Sequence, residues 1–184
     1  MIRVSKIISG GQTGADRGGL DAAIALGIPH GGFCPRSRRA EDGVIPARYE
    51  LVSLADDHYR ARTAENVASA DATIIFARSV DTLEGGSRLT MDLAQCSSKP
   101  FAVFGVFAPD VDRSVKRWLA RTLVHTQGAV LNVAGNRESV TPGIQAAVRN
   151  LLVAALEHVK IVEAPQSVGL GALGAALRKK GLVP

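Results

Sequence analysis

Two glycine-rich turns carry the residues best suited to chemistry. The first runs Gly10-Gly11-Gln12-Thr13-Gly14-Ala15-Asp16-Arg17-Gly18-Gly19. Glycines let a backbone bend sharply and bring bare N–H groups up to a ligand, while the helix that follows adds a positive dipole end that attracts an anion. Gly10, Gly11, Thr13, Gly14, Asp16 and Arg17 are therefore binding candidates. Thr13 offers a hydroxyl and Arg17 a fork suited to phosphate; Asp16 can hold a ribose hydroxyl, hold a metal or cap the helix. The turn is neither a Walker loop, lacking the Gly-Lys-Ser/Thr ending, nor a GxGxxG fingerprint in register. The second turn is Leu83-Glu84-Gly85-Gly86-Ser87-Arg88-Leu89-Thr90, with Gly85, Gly86, Ser87 and Thr90 as candidates. Ser87 is equally a ready helix N-cap. Tight packing explains one such turn; two in one sheet point to a ligand. A third polar turn, Ala134-Gly135-Asn136-Arg137-Glu138-Ser139, supplies donors from Asn136, Arg137 and Ser139 and one acid, Glu138.

Catalytic groups are sparser. Asp16, Asp42 and Glu84 are the carboxylates placed to act as acid or base, although Asp42-Gly43 also suits a turn for backbone reasons alone. His30, His58, His125 and His158 are scattered without partners at metal-ligand spacing, so no metal site is expected. Cys34, before Pro35-Arg36, reads as a buried structural thiol, with an activated thiolate or a ligand for a soft metal as the alternatives. Arginine outnumbers lysine 16 to 6, and Arg36, Arg38, Arg39, Arg48, Arg60 and Arg62 fall close together. That cluster marks an anion site or a compositional bias. Eight aromatic residues, none interleaved with the arginines, make a nucleic-acid surface a weak reading of the net charge of +5.

The elements that must position these turns alternate along the chain. Lys6-Ile7-Ile8-Ser9 predicts a strand, and 15–26 a helix stopped by Gly27-Ile28-Pro29. A short strand is expected at 30–34, then a long loop over 35–59 with a brief strand at 50–53. Loops of that length are often functional. Helices are expected at 62–69, 87–96, 111–124 and 141–159, the last with Thr141 as N-cap and Pro142 in its first position. The strands between them, at 72–77, 100–107 and 129–133, are predominantly apolar, as strands covered on both faces are. Alternation of this kind predicts a Rossmann-like α/β three-layer sandwich with a mostly parallel sheet.

At 184 residues, with 46% hydrophobic and 21% charged residues, the chain reads as one globular domain over 1–160, followed by an extension over 161–184 that forms a short helix or a mobile tail. The longest apolar stretch falls short of the ~20 residues a membrane span needs. Without a signal-peptide pattern, and with two cysteines at no disulfide or metal spacing, a cytoplasmic location is expected.

Taken together, the 8–21 turn, Cys34-Pro35-Arg36 with Ala40-Glu41-Asp42-Gly43, Arg62-Thr63-Ala64-Glu65-Asn66-Val67, Gly85-Gly86-Ser87-Arg88-Leu89-Thr90 and the 131–139 segment resemble the molybdenum carrier family. That family is the circularly permuted YpsA-like branch of the SLOG superfamily. The resemblance spans about residues 6–158. It implies a Rossmann-like fold that binds a phosphorylated, nucleotide-like ligand, with the pterin-based molybdenum cofactor (molybdopterin) among the candidates, and self-association into a homo-oligomer. Arg36, Thr63 and Asn66 would position the part of the ligand beyond its phosphate. The wider superfamily includes phosphoribohydrolases with a GGxGTxxE motif, which makes a nucleotide or nucleoside-phosphate hydrolase the alternative. Here Gly85-Gly86 is followed by Ser87-Arg88-Leu89-Thr90-Met91-Asp92, out of register with that motif. Glu84 or Asp92 is then left to stand in for its glutamate.

Overall fold

Strand β1 (Val4–Ile8) runs into helix α1 (Ala15–Leu26), and the helix stops at Gly27, whose φ of 66° is left-handed. These come from a computed structural model that describes residues 4–81, 83–124, 126 and 128–157. His125, His158, the end of the last expected helix and the 161–184 extension lie outside the described residues. The chain continues through β2 (His30–Gly31), β3 (Phe33–Cys34), β4 (Arg39–Ala40), β5 (Gly43–Val44), β6 (Val52–Ser53) and α2 (Tyr59–Ser69). It then alternates: β7 (Ala72–Ala77), α3 (Gly85–Cys96), β8 (Phe101–Gly105), α4 (Val111–Leu123), β9 (Ala129–Gly135) and α5 (Ile144–Leu156).

Five parallel strands form the central sheet in the order β2-β1-β9-β7-β8. The last strand in sequence, β9, thus inserts between β1 and β7, and it brings the carboxyl ends of all three side by side. α1, α4 and α5 pack together on one face, and α2 packs with α3 on the other. Because successive strand residues face opposite ways, Ile74, Phe76, Leu131 and Val133 enter the large core beneath α1, α4 and α5. Thr73 and Asn132 face α2 and α3 instead, and Asn132 Nδ2 donates to Thr73 Oγ1 at 3.3 Å. The expected Rossmann-like three-layer sandwich is what forms.

Several details depart from expectation. The 30–34 strand breaks at Gly32 (φ 120°): β2 joins the main sheet, while β3 pairs with β6. The loop that follows is ordered around a second small core of Leu20, Cys34, Ala40, Ile45, Tyr49 and Leu51. Arg38 staples it by donating to the carbonyls of Leu51, Pro46 and Tyr49, and β4 and β5 form an antiparallel hairpin within it. α2 starts at Tyr59 rather than Arg62, and α3 starts at Gly85, so Glu84 and not Ser87 holds its N-cap position. α5 starts after Gly143 rather than at Pro142. Glu138 is the reason: its carboxylate accepts from the N–H groups of Gly143 (2.5 Å) and Gln145 (3.0 Å), capping the helix there, while Thr141 accepts from Asn136 Nδ2.

Candidate functional site

A cleft of about 470 Å³ opens where β1, β9 and β7 end, between α2 and α3. The three polar turns foreseen from the sequence all reach it: Gly10, Gln12 and Asp16 from the first, Glu84–Ser87, Leu89 and Thr90 from the second, Asn136, Arg137 and Ser139 from the third. In open parallel sheets this is where ligands bind.

The floor is made by Gly10 with Asn132 and Ala134 of β9, backed by Gln12 and Asp16. Asp16 is 5% exposed, and its Oδ2 accepts from the Gln12 N–H (3.2 Å) and from Arg62 Nη1 (2.8 Å). Arg62 lies across Gly10: a Cβ there would sit 1.2 Å from Nη1, so any larger residue would push the guanidinium aside.

One wall is the start of α3. Gly85 turns the chain at φ 53°, and among the described residues no side chain caps the helix. The first N–H groups of a helix have no partner within it and, with the dipole, favour an anion. A Cβ on Gly86 would meet nothing within 4 Å, so packing does not require glycine there. Ser87 is buried and donates to Asn136 Oδ1 (2.8 Å), tying α3 to the β9–α5 turn, and Thr90 donates back to the Gly86 carbonyl. Glu84 stands exposed on the rim.

The opposite wall is α2, where Tyr59, Arg62, Thr63 and Asn66 share one face, as residues three and four apart do. The guanidinium carbons of Arg62 and Arg137 lie 5.7 and 5.8 Å from the Tyr59 ring centre, within cation–π range. Thr63 and Asn66 spend their polar atoms inside the fold: Thr63 donates to the Tyr59 carbonyl, and Asn66 bonds both backbone groups of Phe33. Across this wall, then, Arg62 and Arg137 carry the positive charge.

The remaining residues singled out in the sequence sit outside the cleft lining. Gly11 faces Leu51 and Ile45 of the second core, and Gly14 packs against the backbone of Asn136, Arg137 and Glu138. Thr13 donates to the Glu41 carboxylate and accepts from the Glu138 N–H. Arg17 is buried, held by a two-pronged pair with Asp42 at 2.6 and 2.7 Å and by the Gly11 carbonyl. Two of the first amides of α1 are also spoken for, Ala15 N–H by the Asn136 carbonyl and Arg17 N–H by that of Gln12. Arg36 is exposed and away from the cleft, and Asp92 pairs with Arg88 along α3. Cys34 is fully buried beside Ser53, while Cys96 is exposed at the far end of α3. Among the described residues no cluster of three or more His, Cys, Asp and Glu side chains could hold a metal, and no helix is long and apolar enough to cross a membrane.

The hairpin tip beside the first turn shapes its electrostatics. Burial pushes the Glu41 carboxyl up, but hydrogen bonds from Ser139 and Thr13 together with the charge of Arg137 outweigh it and hold the group below its ordinary value. The Arg17 hydrogen bonds do the same for Asp42, against a smaller effect of burial.

Tyr59 and Asn132 are cleft residues that sequence reasoning passed over. Both left a signal: Tyr59 extends the helical face of Arg62, Thr63 and Asn66 by one turn, and Asn132 is polar within an apolar strand.

The model of the circularly permutated YpsA SLOG family matches residues 7–156. The chain belongs to that family. A solved structure of a candidate molybdenum carrier protein from Syntrophus aciditrophicus SB is 37% identical, with a TM-score of 0.78; the alignment covers 84% of this chain and 96% of that one. Comparison with curated proteins gave no match. In this SLOG domain, the family match runs unbroken from β1 to α5 and so contains every residue lining the cleft.

Proposed function

We propose that the cleft binds a phosphorylated, nucleotide-like small molecule, with its phosphate on the start of α3. The uncapped helix end behind Gly86, whose front is open space, carries this reading. The phosphate meets the N–H groups of Gly85, Gly86 and Ser87, and Arg137 comes over it from the third turn. Arginine's fork suits phosphate geometry. The α1 turn takes a different part: its Gln12, Thr13, Ala15 and Arg17 amides are already used, so it forms the floor and not the anion seat.

The molybdenum cofactor fits these terms in part. Its phosphate suits the α3 end, and its pterin is flat enough for the space between Tyr59 and the floor. Neither cysteine lines the cleft, so the chain offers no thiolate to a metal there. The name of the Syntrophus aciditrophicus protein favours a carrier role toward this ligand class. Calorimetric titration with nucleoside monophosphates and molybdopterin species tests the reading: at least one binds at micromolar concentration or tighter. Flat titrations of the folded protein across that panel would overturn it.

A second reading, hydrolysis of a nucleoside phosphate, is favoured by two carboxylates at the same cleft, Asp16 on the floor and Glu84 on the rim. Asp42, engaged with Arg17 outside it, has no part in this scheme. Release of free base from nucleoside monophosphates, abolished by Glu84→Gln or Asp16→Asn and retained by Asp42→Asn, would establish an enzyme.

A further inference from the structure

Two buried donors, Gln12 Nε2 of the cleft floor and Arg62 Nε of the α2 wall, have no partner among the described residues. Gln12 is 4% exposed, and its orientation is fixed because Oε1 accepts from the N–H groups of Thr13 (3.0 Å) and Glu41 (2.9 Å). That leaves Nε2 as a donor. Beside it, Asp16 uses Oδ2 for the Gln12 N–H and Arg62, while Oδ1 has no partner among the described residues. The floor therefore sets an amide donor next to a carboxylate acceptor. A buried donor left unpaired is destabilising, so the matching ligand edge brings a carbonyl beside an N–H.

We infer, building on the phosphorylated-ligand reading above, that Gln12 and Asp16 read the 2-amino-4-oxo edge of a pyrimidine ring, the edge that guanine and pterins share. The ring carbonyl accepts from Gln12 Nε2 with Arg62 Nε in support. The ring N–H and its neighbouring amino group donate to Asp16. Adenine carries the opposite pattern, an amino group where the carbonyl should be and a lone pair where the N–H should be. It would set donor against donor and lone pair against carboxylate. Sites that pair a buried polar edge reject analogues lacking it far more strongly than apolar pockets reject a missing methylene.

Calorimetry on the wild-type chain with GMP, IMP, AMP and neopterin monophosphate tests this without relying on any variant to fold. GMP and the pterin phosphate bind at least 100-fold tighter than AMP, and IMP, without the amino group, falls between. Which of GMP and the pterin phosphate is tighter identifies the source of the ring. In Gln12→Glu, which keeps an oxygen for the Thr13 and Glu41 amides, the GMP-to-AMP ratio shrinks at least tenfold at pH 8 while the melting curve stays cooperative. AMP and GMP binding equally, or an unchanged ratio in that variant, overturns the edge recognition and leaves the phosphate seat standing. Binding of none of the four overturns both.

Discussion

Arg62 and Asp16, 46 residues apart, meet at 2.8 Å with side chains only 14% and 6% exposed, and the guanidinium lies against the backbone of Gly10. This pair fastens α2 to the first glycine turn. Removing one partner strands the other's charge in a poorly solvated place, which typically costs 3–5 kcal/mol. Arg62→Ala is therefore expected to lose about 3 kcal/mol and roughly 10 °C in Tm. Adding Asp16→Asn to it should recover part of that loss, because no charge is then left alone. Thermal melts of the two single variants and the double variant check this; strictly additive losses would refute it.

Gly86 separates folding from binding. Its Cβ would project into open space and its φ is not left-handed, so Gly86→Ala should fold with unchanged or slightly higher stability, alanine being up to ~1 kcal/mol better in a helix. The same methyl group stands where the phosphate would approach α3. Affinity for a nucleoside monophosphate should fall at least tenfold in calorimetry while the urea midpoint holds. Wild-type affinity in this variant would move the phosphate elsewhere.

How far the sequence could be read follows from which signals are local. The β7 strand was legible to the residue because a run apolar but for the β-branched Thr73 has one ready interpretation, a strand covered on both faces. So were α1 and its glycine stop. The 35–58 loop hid its structure because a six-residue core that includes Leu20 and a stapling arginine, Arg38, are long-range facts. Among the site residues, glycine turns announced the α3 end, yet nothing in the spacing of Arg17 told that Asp42 would claim it. The start of α5 misled for a similar reason: Thr141-Pro142 is a good local signal, and Glu138 overrode it from five residues before Gly143.

Acid should loosen the cleft from the hairpin side. Glu41 and Asp42 are both held below their ordinary values of 4.5 and 3.8. A carboxyl depressed by folding contributes stability that is complete above its unfolded pKa and is lost as pH falls through the folded one. Stability should be flat in this respect above about pH 5 and fall below roughly pH 4.5. Asp42 is half exposed, so the loss it brings is modest. In Glu41→Gln with Asp42→Asn, urea midpoints measured from pH 6 to pH 3 should fall less steeply than in the wild type; identical slopes would remove this hairpin from the acid response.

Gly14 and Gly43 test whether the third turn closes on the first by shape. Both have positive φ, 80° and 115°, so alanine at either position pays for backbone strain of about 1–3 kcal/mol. Only at Gly14 does a collision follow, with a Cβ 2.4 Å from the Asn136 carbonyl oxygen and 2.6 Å from the Glu138 nitrogen; at Gly43 nothing lies within 4 Å. Those contacts are backbone and cannot swing aside. The Asn136 carbonyl also accepts the Ala15 N–H, so the turn must move as a unit and carry with it the Asn136 bond to Ser87. Gly14→Ala should therefore cost at least ~2 kcal/mol more than Gly43→Ala and also weaken ligand binding, whereas Gly43→Ala should leave binding intact. Equal losses of stability in paired urea denaturations would mean that the two turns are not pressed together.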